Sequence, residues 1–206
     1  MTSRSSLAMA GAIAATAILA ACSGTPAPGA GPGGPSAGVA PSPPVAGAAG
    51  ANPPGDIPDN QAYVAFSPAG GEYSVKVPEG WSRASTGGAT SFTDKLNKIE
   101  VAAVAAPTQP TVASVNSTDV SSVKTTVAKF AMGKVSVVAR AGGSAILLTF
   151  QGDSAPDQVT GQVVRDAFER YTFYRAGKRV DLTLSGPTNA DNVDPWRTVS
   201  DSLRLI

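Results

Sequence analysis

The chain carries few side chains that do chemistry, and two counts narrow the choice at once: it has no histidine and a single cysteine, Cys22. Without an imidazole it cannot build a Ser-His-Asp or Cys-His site, a His-ligated metal centre or a histidine pH switch. A lone thiol cannot close an internal disulfide or join a multi-thiolate cluster. Carboxylates, lysines and hydroxyls remain. Asp153, Asp157, Asp191 and Asp194 could offer oxygen ligands to calcium, but their spacing lacks the Asp-x-Asp-x-Asp-Gly regularity of a calcium loop, so turn and capping roles are expected. Lys95, Lys98, Lys134 and Arg140 would form a basic patch for anionic headgroups or wall polymers if their strands were neighbours. The interleaved Asp94 and Glu100 favour a solvated face of mixed sign instead. Trp81 and Trp196 could stack on a sugar ring, yet a strand-ending turn and an amphipathic helix are places where tryptophan packs into a core. No Gly-x-Ser-x-Gly motif and no phosphate-cradling glycine loop is present. The expectation is no catalytic residue, no metal and no cofactor.

Cys22 sits where its surroundings give it a meaning. Met1 to Ser6 carries one cation, Arg4, and is followed by an apolar run from Leu7 to Ala21. That run is shorter than the roughly 20 residues of a membrane span and fits the central region of a secretory leader. Its end, Leu19-Ala20-Ala21-Cys22, resembles the lipobox of bacterial lipoproteins. The resemblance implies a signal peptide over 1–21, cleavage before Cys22, and lipidation of its sulfur with a diacylglycerol. Two long acyl chains at about 0.8 kcal/mol per buried methylene anchor a protein stably. The expected location is therefore the outer face of a cell membrane. No Arg-Arg pair precedes the apolar run, which points to export in the unfolded state.

Residues 23–58 hold ten Pro, nine Gly and eight Ala, with Asp56 as the only charge. Such a stretch buries too little to offset its ordering entropy, so it reads as a disordered tether. As a flexible coil it would span roughly 30 to 36 Å. Thr25, Ser36 and Ser42, close to prolines, are conceivable sugar acceptors, though a bare spacer is the simpler reading. Asn116-Ser117-Thr118 matches the N-glycosylation pattern, which loses its context beside a bacterial lipobox. Loss of Arg4 with the leader leaves fifteen Lys and Arg against fifteen Asp and Glu. A neutral mature chain is unsuited to nucleic acid.

Residues 59–206 are long enough for one domain with a core. Strands are expected at Tyr63–Phe66 and Tyr73–Val77, the second stopped by Pro78 and turned by Glu79-Gly80-Trp81. Ser91–Thr93 and Ile99–Ala105 continue the pattern. Val112, Val120, Val123, Val127, Phe130 and Ala131 then follow helical spacing, with Thr118 or Asp119 suited to cap it. A hairpin is expected about Gly142-Gly143, and another about Ala176-Gly177 joining Phe168–Arg175 to Arg179–Ser185. In its return strand Val180, Leu182 and Leu184 alternate with Arg179, Asp181 and Thr183, so one face is buried and the other partly wet. Asp194 as N-cap and Pro195 as first residue open a final helix that presents Trp196, Val199 and Leu203. Short connections require antiparallel pairing, hence an α+β domain built on a single antiparallel sheet.

Phe66 followed by Gly71-Glu72-Tyr73-Ser74-Val75-Lys76-Val77-Pro78-Glu79-Gly80-Trp81 resembles the opening of the PsbP/Mog1-like superfamily, which includes actinobacterial envelope lipoproteins. The resemblance runs over roughly residues 62–206 and implies helices packed on both sides of the sheet, an α/β/α sandwich. It also implies a non-catalytic binding or assembly module. The function expected is a lipid-anchored envelope protein that binds a protein partner or an apolar or wall-derived ligand, and touches the membrane through the acyl chains on Cys22. Two alternatives stand beside it: a carrier of a lipid-like molecule held between helix and sheet, and an envelope hydrolase or transferase with a carboxylate or Ser/Lys site.

Overall fold

The computed structural model describes residues 54–157 and 160–206; the leader, Cys22 and most of the tether lie outside the described residues. The α+β class and the antiparallel pairing are as expected, but the strands form two sheets. Three strands, β1 (Tyr63–Phe66), β2 (Tyr73–Pro78) and β10 (Arg204–Leu205), make a small sheet in the order β1-β2-β10. The larger sheet has seven: β3 (Ser82–Thr86), β4 (Ala89–Asp94), β5 (Asn97–Ala105), β6 (Ala128–Arg140), β7 (Gly143–Asp153), β8 (Arg165–Arg175) and β9 (Lys178–Pro187). They lie in the order β3-β4-β5-β9-β8-β7-β6. The Glu79-Gly80-Trp81 turn, with Gly80 at φ +84°, separates β2 from β3 and so divides the two sheets. The sequence reading missed β3, whose five residues are all exposed at the sheet edge; it offers no apolar alternation to detect.

One face of the large sheet carries Ile99, Val101, Tyr171, Phe173, Val180, Leu182 and Leu184, all at most 1% exposed. They pack against Tyr73, Val75 and Val77 of β2 and against Trp196 and Val199 of α3 (Val193–Ser202). Strict alternation in β2 aims those three side chains one way while Lys76 stays wet. α3 starts two residues earlier than expected, with Asn192 as its cap position and Asp194 in its first turn. Trp81 packs on this core as well, so both tryptophans take the core role.

The other face is covered by α1 (Val112–Ser114), a π-helical stretch (Val115–Asp119) and α2 (Val120–Thr126). The start is a capping box: the Ser114 amide donates to Thr111 Oγ1 at 3.1 Å, and the Thr111 amide donates to Ser114 Oγ at 2.8 Å. Neither Thr118 nor Asp119 caps the helix; both lie inside it. The helix stops at Thr126 because Val127 turns to extended backbone and joins β6. Phe130 and Ala131 therefore belong to a strand. The irregular register of β6 near Lys129, at φ +48°, gave these residues a spacing that imitates a helix. Phe130 still packs on Phe150, with ring centroids 5.4 Å apart, from the strand instead.

Gly55, Asp56 and Ile57, the end of the stretch read as tether, are tied to the domain. Ile57 is 5% exposed. Its amide donates to Asn192 Oδ1 at 2.8 Å, and the Gly55 carbonyl accepts from Asn97 Nδ2 at 2.7 Å and Asn192 Nδ2 at 3.0 Å. The Asp191 amide donates to Asp56 Oδ1 at 2.9 Å.

Candidate functional site

Two groups of polar side chains stand out, both on the helix-covered face of the large sheet. The first is an ion cluster under the helix. Arg179 Nε donates to Asp181 Oδ1 at 2.8 Å, while its Nη2 donates to Asp119 from the π-helical stretch. Arg170 Nη2 and Thr172 Oγ1 also donate to Asp181, at 3.0 and 2.8 Å. Burial opposes the Arg179 charge, but the hydrogen bonds to Asp119 and Asp181 more than offset it and hold the guanidinium above its ordinary value. Two carboxylates and two guanidiniums balance, so the cluster reads as a latch between helix and sheet. The face of β9 expected to be wet is covered by it.

The second group lines a cleft of about 520 Å³. The C-terminal end of α2 at Thr126, the β4–β5 turn at Lys95, and Ser154, Asp157, Thr160 and Gln162 between β7 and β8 form its walls. Its floor is the sheet itself, where alternation aims Asp166, Phe168, Ser185 and Lys98 the same way. Phe168 is braced from below by Phe150, stacked at 4.5 Å and 6°. Asp166 is 5% exposed, and no described residue hydrogen-bonds its carboxyl; Oδ1 is fully buried without a partner. Burial pushes this carboxyl up to about 6, and the charge of Asp153 adds to the shift. Asp153 is the opposite case. Its hydrogen bond from Lys129, at 2.8 Å, and the nearby Arg165, at 3.4 Å, hold it below the usual carboxylate range. Two aspartates facing the same region thus differ because one has cations and the other has none.

The residues singled out from the sequence are mostly scattered. Of the four aspartates considered as calcium ligands, Asp153 is paired with cations and Asp157 Oδ1 accepts from the Thr160 amide and hydroxyl at 2.7 and 2.9 Å. Asp191 and Asp194 lie beyond β9, at the start of α3. Among the described residues no three carboxylates or thiols converge to hold a metal ion. The basic quartet does not assemble. Lys95 and Lys98 flank the cleft, Lys134 is on the far edge strand, and Arg140 turns to the other face, where it donates to Ser200 Oγ at 3.0 Å and Tyr171 Oη at 2.7 Å. Asn116 donates to the Val112 carbonyl at 3.0 Å inside the helix. Ser121-Ser122-Val123-Lys124 has Ser-x-x-Lys spacing, which the sequence reading overlooked. Ser121 is exposed and its hydroxyl donates to the Ser117 carbonyl at 2.8 Å, so it is spent on the helix.

Sequence reasoning also missed Asp166, because β8 was expected to start at Phe168. The available signal was alternation: Asp166, Phe168, Arg170 and Thr172 share one face of β8, so a carboxyl stands in line with the half-buried Phe168 and Arg170 and the buried Thr172.

No known protein family matches this chain, and no curated protein does. Solved structures do show likeness. The cyanobacterial PsbP of Synechocystis is 15% identical over 71% of this chain and 94% of its own, with a TM-score of 0.49. The Ran-binding protein Mog1p of Saccharomyces cerevisiae is 10% identical over 63% of this chain and 79% of its own, at 0.43. A protein of Bacteroides thetaiotaomicron is 12% identical over 69% of this chain at 0.47, and this chain spans about half of it, 48%.

Proposed function

We propose that this chain is a non-catalytic binding module of the cell envelope, anchored to the outer membrane face through Cys22, with the cleft above Asp166 as its ligand site. The observation that carries the reading is the carboxyl of Asp166, buried on the cleft floor with no hydrogen-bond partner among the described residues. A buried carboxyl without a partner destabilises a fold, and its place in a cleft suits a ligand that completes it. Support for the anchor is the Leu19-Ala20-Ala21-Cys22 sequence alone. Among the described residues no helix is long and apolar enough to cross a membrane.

One observation favours the hydrolase or transferase: a carboxyl near 6 is poised for proton transfer. Against it, the neighbouring carboxylate Asp153 is committed to Lys129 and Arg165, and no described base is bonded to the Ser185 or Thr93 hydroxyl. The carrier reading needs room between helix and sheet, and Val115, Val123, Leu148 and the Arg179–Asp119 pair occupy that interface.

Photo-crosslinking in the producing cell, from a reactive side chain placed at Lys95 on the cleft rim, tests the module. A hydrophilic small molecule captured there supports it, whereas capture of acyl lipid alone would favour the carrier. The anchor is read separately: Cys22→Ala is expected to move the protein from membrane to soluble fraction, and unchanged membrane retention would refute lipidation.

A further inference from the structure

Charge accounting in the cleft narrows what the ligand is. Lys98 lies 2.6 Å from Glu100, Lys95 4.0 Å from Asp94, and Asp153 is matched by Lys129 and Arg165. Asp157 has its hydrogen bonds from Thr160. Asp166 is the one charged residue lining the cleft, among the described residues, that has neither a hydrogen bond nor an ion pair. A carboxylate left in this state gains most from a ligand that brings a cation with N–H donors, because such a group supplies both hydrogen bonds and the missing counter-charge. A metal ion is a poor candidate, since no second and third carboxylate converge with Asp166. Around it the cleft is polar: the Thr93 hydroxyl and the Gln162 amide line the walls, the Ser185 hydroxyl lies on the floor, and the Phe168 ring forms the apolar part of that floor. Hydroxyls and amides facing a cleft match a ligand that is itself hydroxylated, and a volume of about 520 Å³ accommodates one or two sugar-sized rings.

Resting on the binding-module reading, we infer that the cleft takes a small hydroxylated amine whose ammonium group seats on the Asp166 carboxyl while its hydroxyls meet Thr93, Gln162 and Ser185. The ammonium replaces the counter-charge the fold does not provide. The affinity then follows the ionisation of Asp166. A carboxyl that titrates near 6 is mostly ionised at neutral pH and mostly protonated a unit below its midpoint, so binding weakens by about tenfold between pH 7 and pH 5.

The test uses the full chain in detergent and two probes of one shape, the β-1,4-linked glucosamine disaccharide and its N,N′-diacetyl form, titrated by calorimetry or by chemical shift. The expected result is at least tenfold tighter binding of the diamine at pH 7, loss of that preference in Asp166→Asn, and weakening at pH 5. Thr93→Lys, an exposed rim change that adds a cation, is expected to weaken diamine binding at least fivefold without altering thermal unfolding. Equal or tighter binding of the diacetyl form, unaffected by Asp166→Asn, would overturn the ammonium assignment while leaving a ligand cleft in place. Failure of both probes to bind would overturn the inference, and crosslinking from Lys95 would then judge the module on its own.

Discussion

Arg179 of β9 and Asp119 of the helix, sixty positions apart in sequence, meet across the helix–sheet interface with side chains 18% and 9% exposed. Asp181 closes the group from the sheet side, so the Arg179 guanidinium, with Arg170 3.9 Å from Asp119, ties the helix to the strand that runs through the middle of the sheet. The helix needs such a tie. Val112, Val115, Val120 and Val123 give it apolar contacts but are β-branched, and two short α-helical segments interrupted by a π-helical one are intrinsically weak.

Removing one partner leaves the others buried and unbalanced. Asp119→Ala is expected to destabilise the domain by about 3 to 5 kcal/mol. Replacing both partners by apolar side chains, Asp119→Leu with Arg179→Met, should cost less than the single change, because no charge is stranded. Urea unfolding of the two variants decides; a loss below about 1 kcal/mol for Asp119→Ala would show that the pair carries little.

Asp166 makes stability depend on pH in a direction opposite to that of a paired carboxylate. Its folded value, about 6, lies above the reference of 3.8, so the folded state binds the proton more tightly than the unfolded state. The contribution is fully present below about pH 4 and is lost as pH rises through 6, amounting to about 3 kcal/mol at most for a shift of this size. The wild type is therefore expected to lose stability relative to Asp166→Asn between pH 4 and pH 7. Parallel stability profiles for the two proteins would place the Asp166 carboxyl at an ordinary value.

The packed region reaches back to Gly55. A chain beginning at Asp59 loses the burial of Ile57 and the hydrogen bonds that Gly55 and Ile57 share with Asn97 and Asn192. It is expected to be less stable by about 2 to 4 kcal/mol than one beginning at Pro54. Equal thermal unfolding midpoints would mean that this strap adds nothing.

What the sequence made legible follows from which signals are local. Alternation in Tyr73–Val77 and Arg179–Ser185, and the turn residues Ala176 and Gly177, at φ +48° and +83°, act over a few positions and were read correctly. The helix was misplaced because its cap was sought at Thr118 or Asp119 and not at the reciprocal Thr111–Ser114 pair, and because a bulged strand continued its apparent period. The division into two sheets was hidden: whether β2 joins β1 and β10 or the larger sheet depends on partners far away in the chain. Ile57 looked like part of a proline-rich spacer because its partner Asn192 is 135 positions distant. The site was hidden for the same reason. Asp166 is unremarkable in sequence, and only the absence, among the described residues, of a cation beside it, where Asp153 has two, distinguishes it.

The most direct test of the central claim is chemical-shift mapping of the full chain against the hydrophilic small molecules extracted from the producing cell. A ligand cleft above Asp166 predicts saturable shifts at the amides of Thr93 to Lys98 and Asp166 to Phe168, abolished in Asp166→Asn. Shifts confined to other surfaces, such as the exposed edge at β3, or shifts at the cleft that persist unchanged in Asp166→Asn, would contradict it.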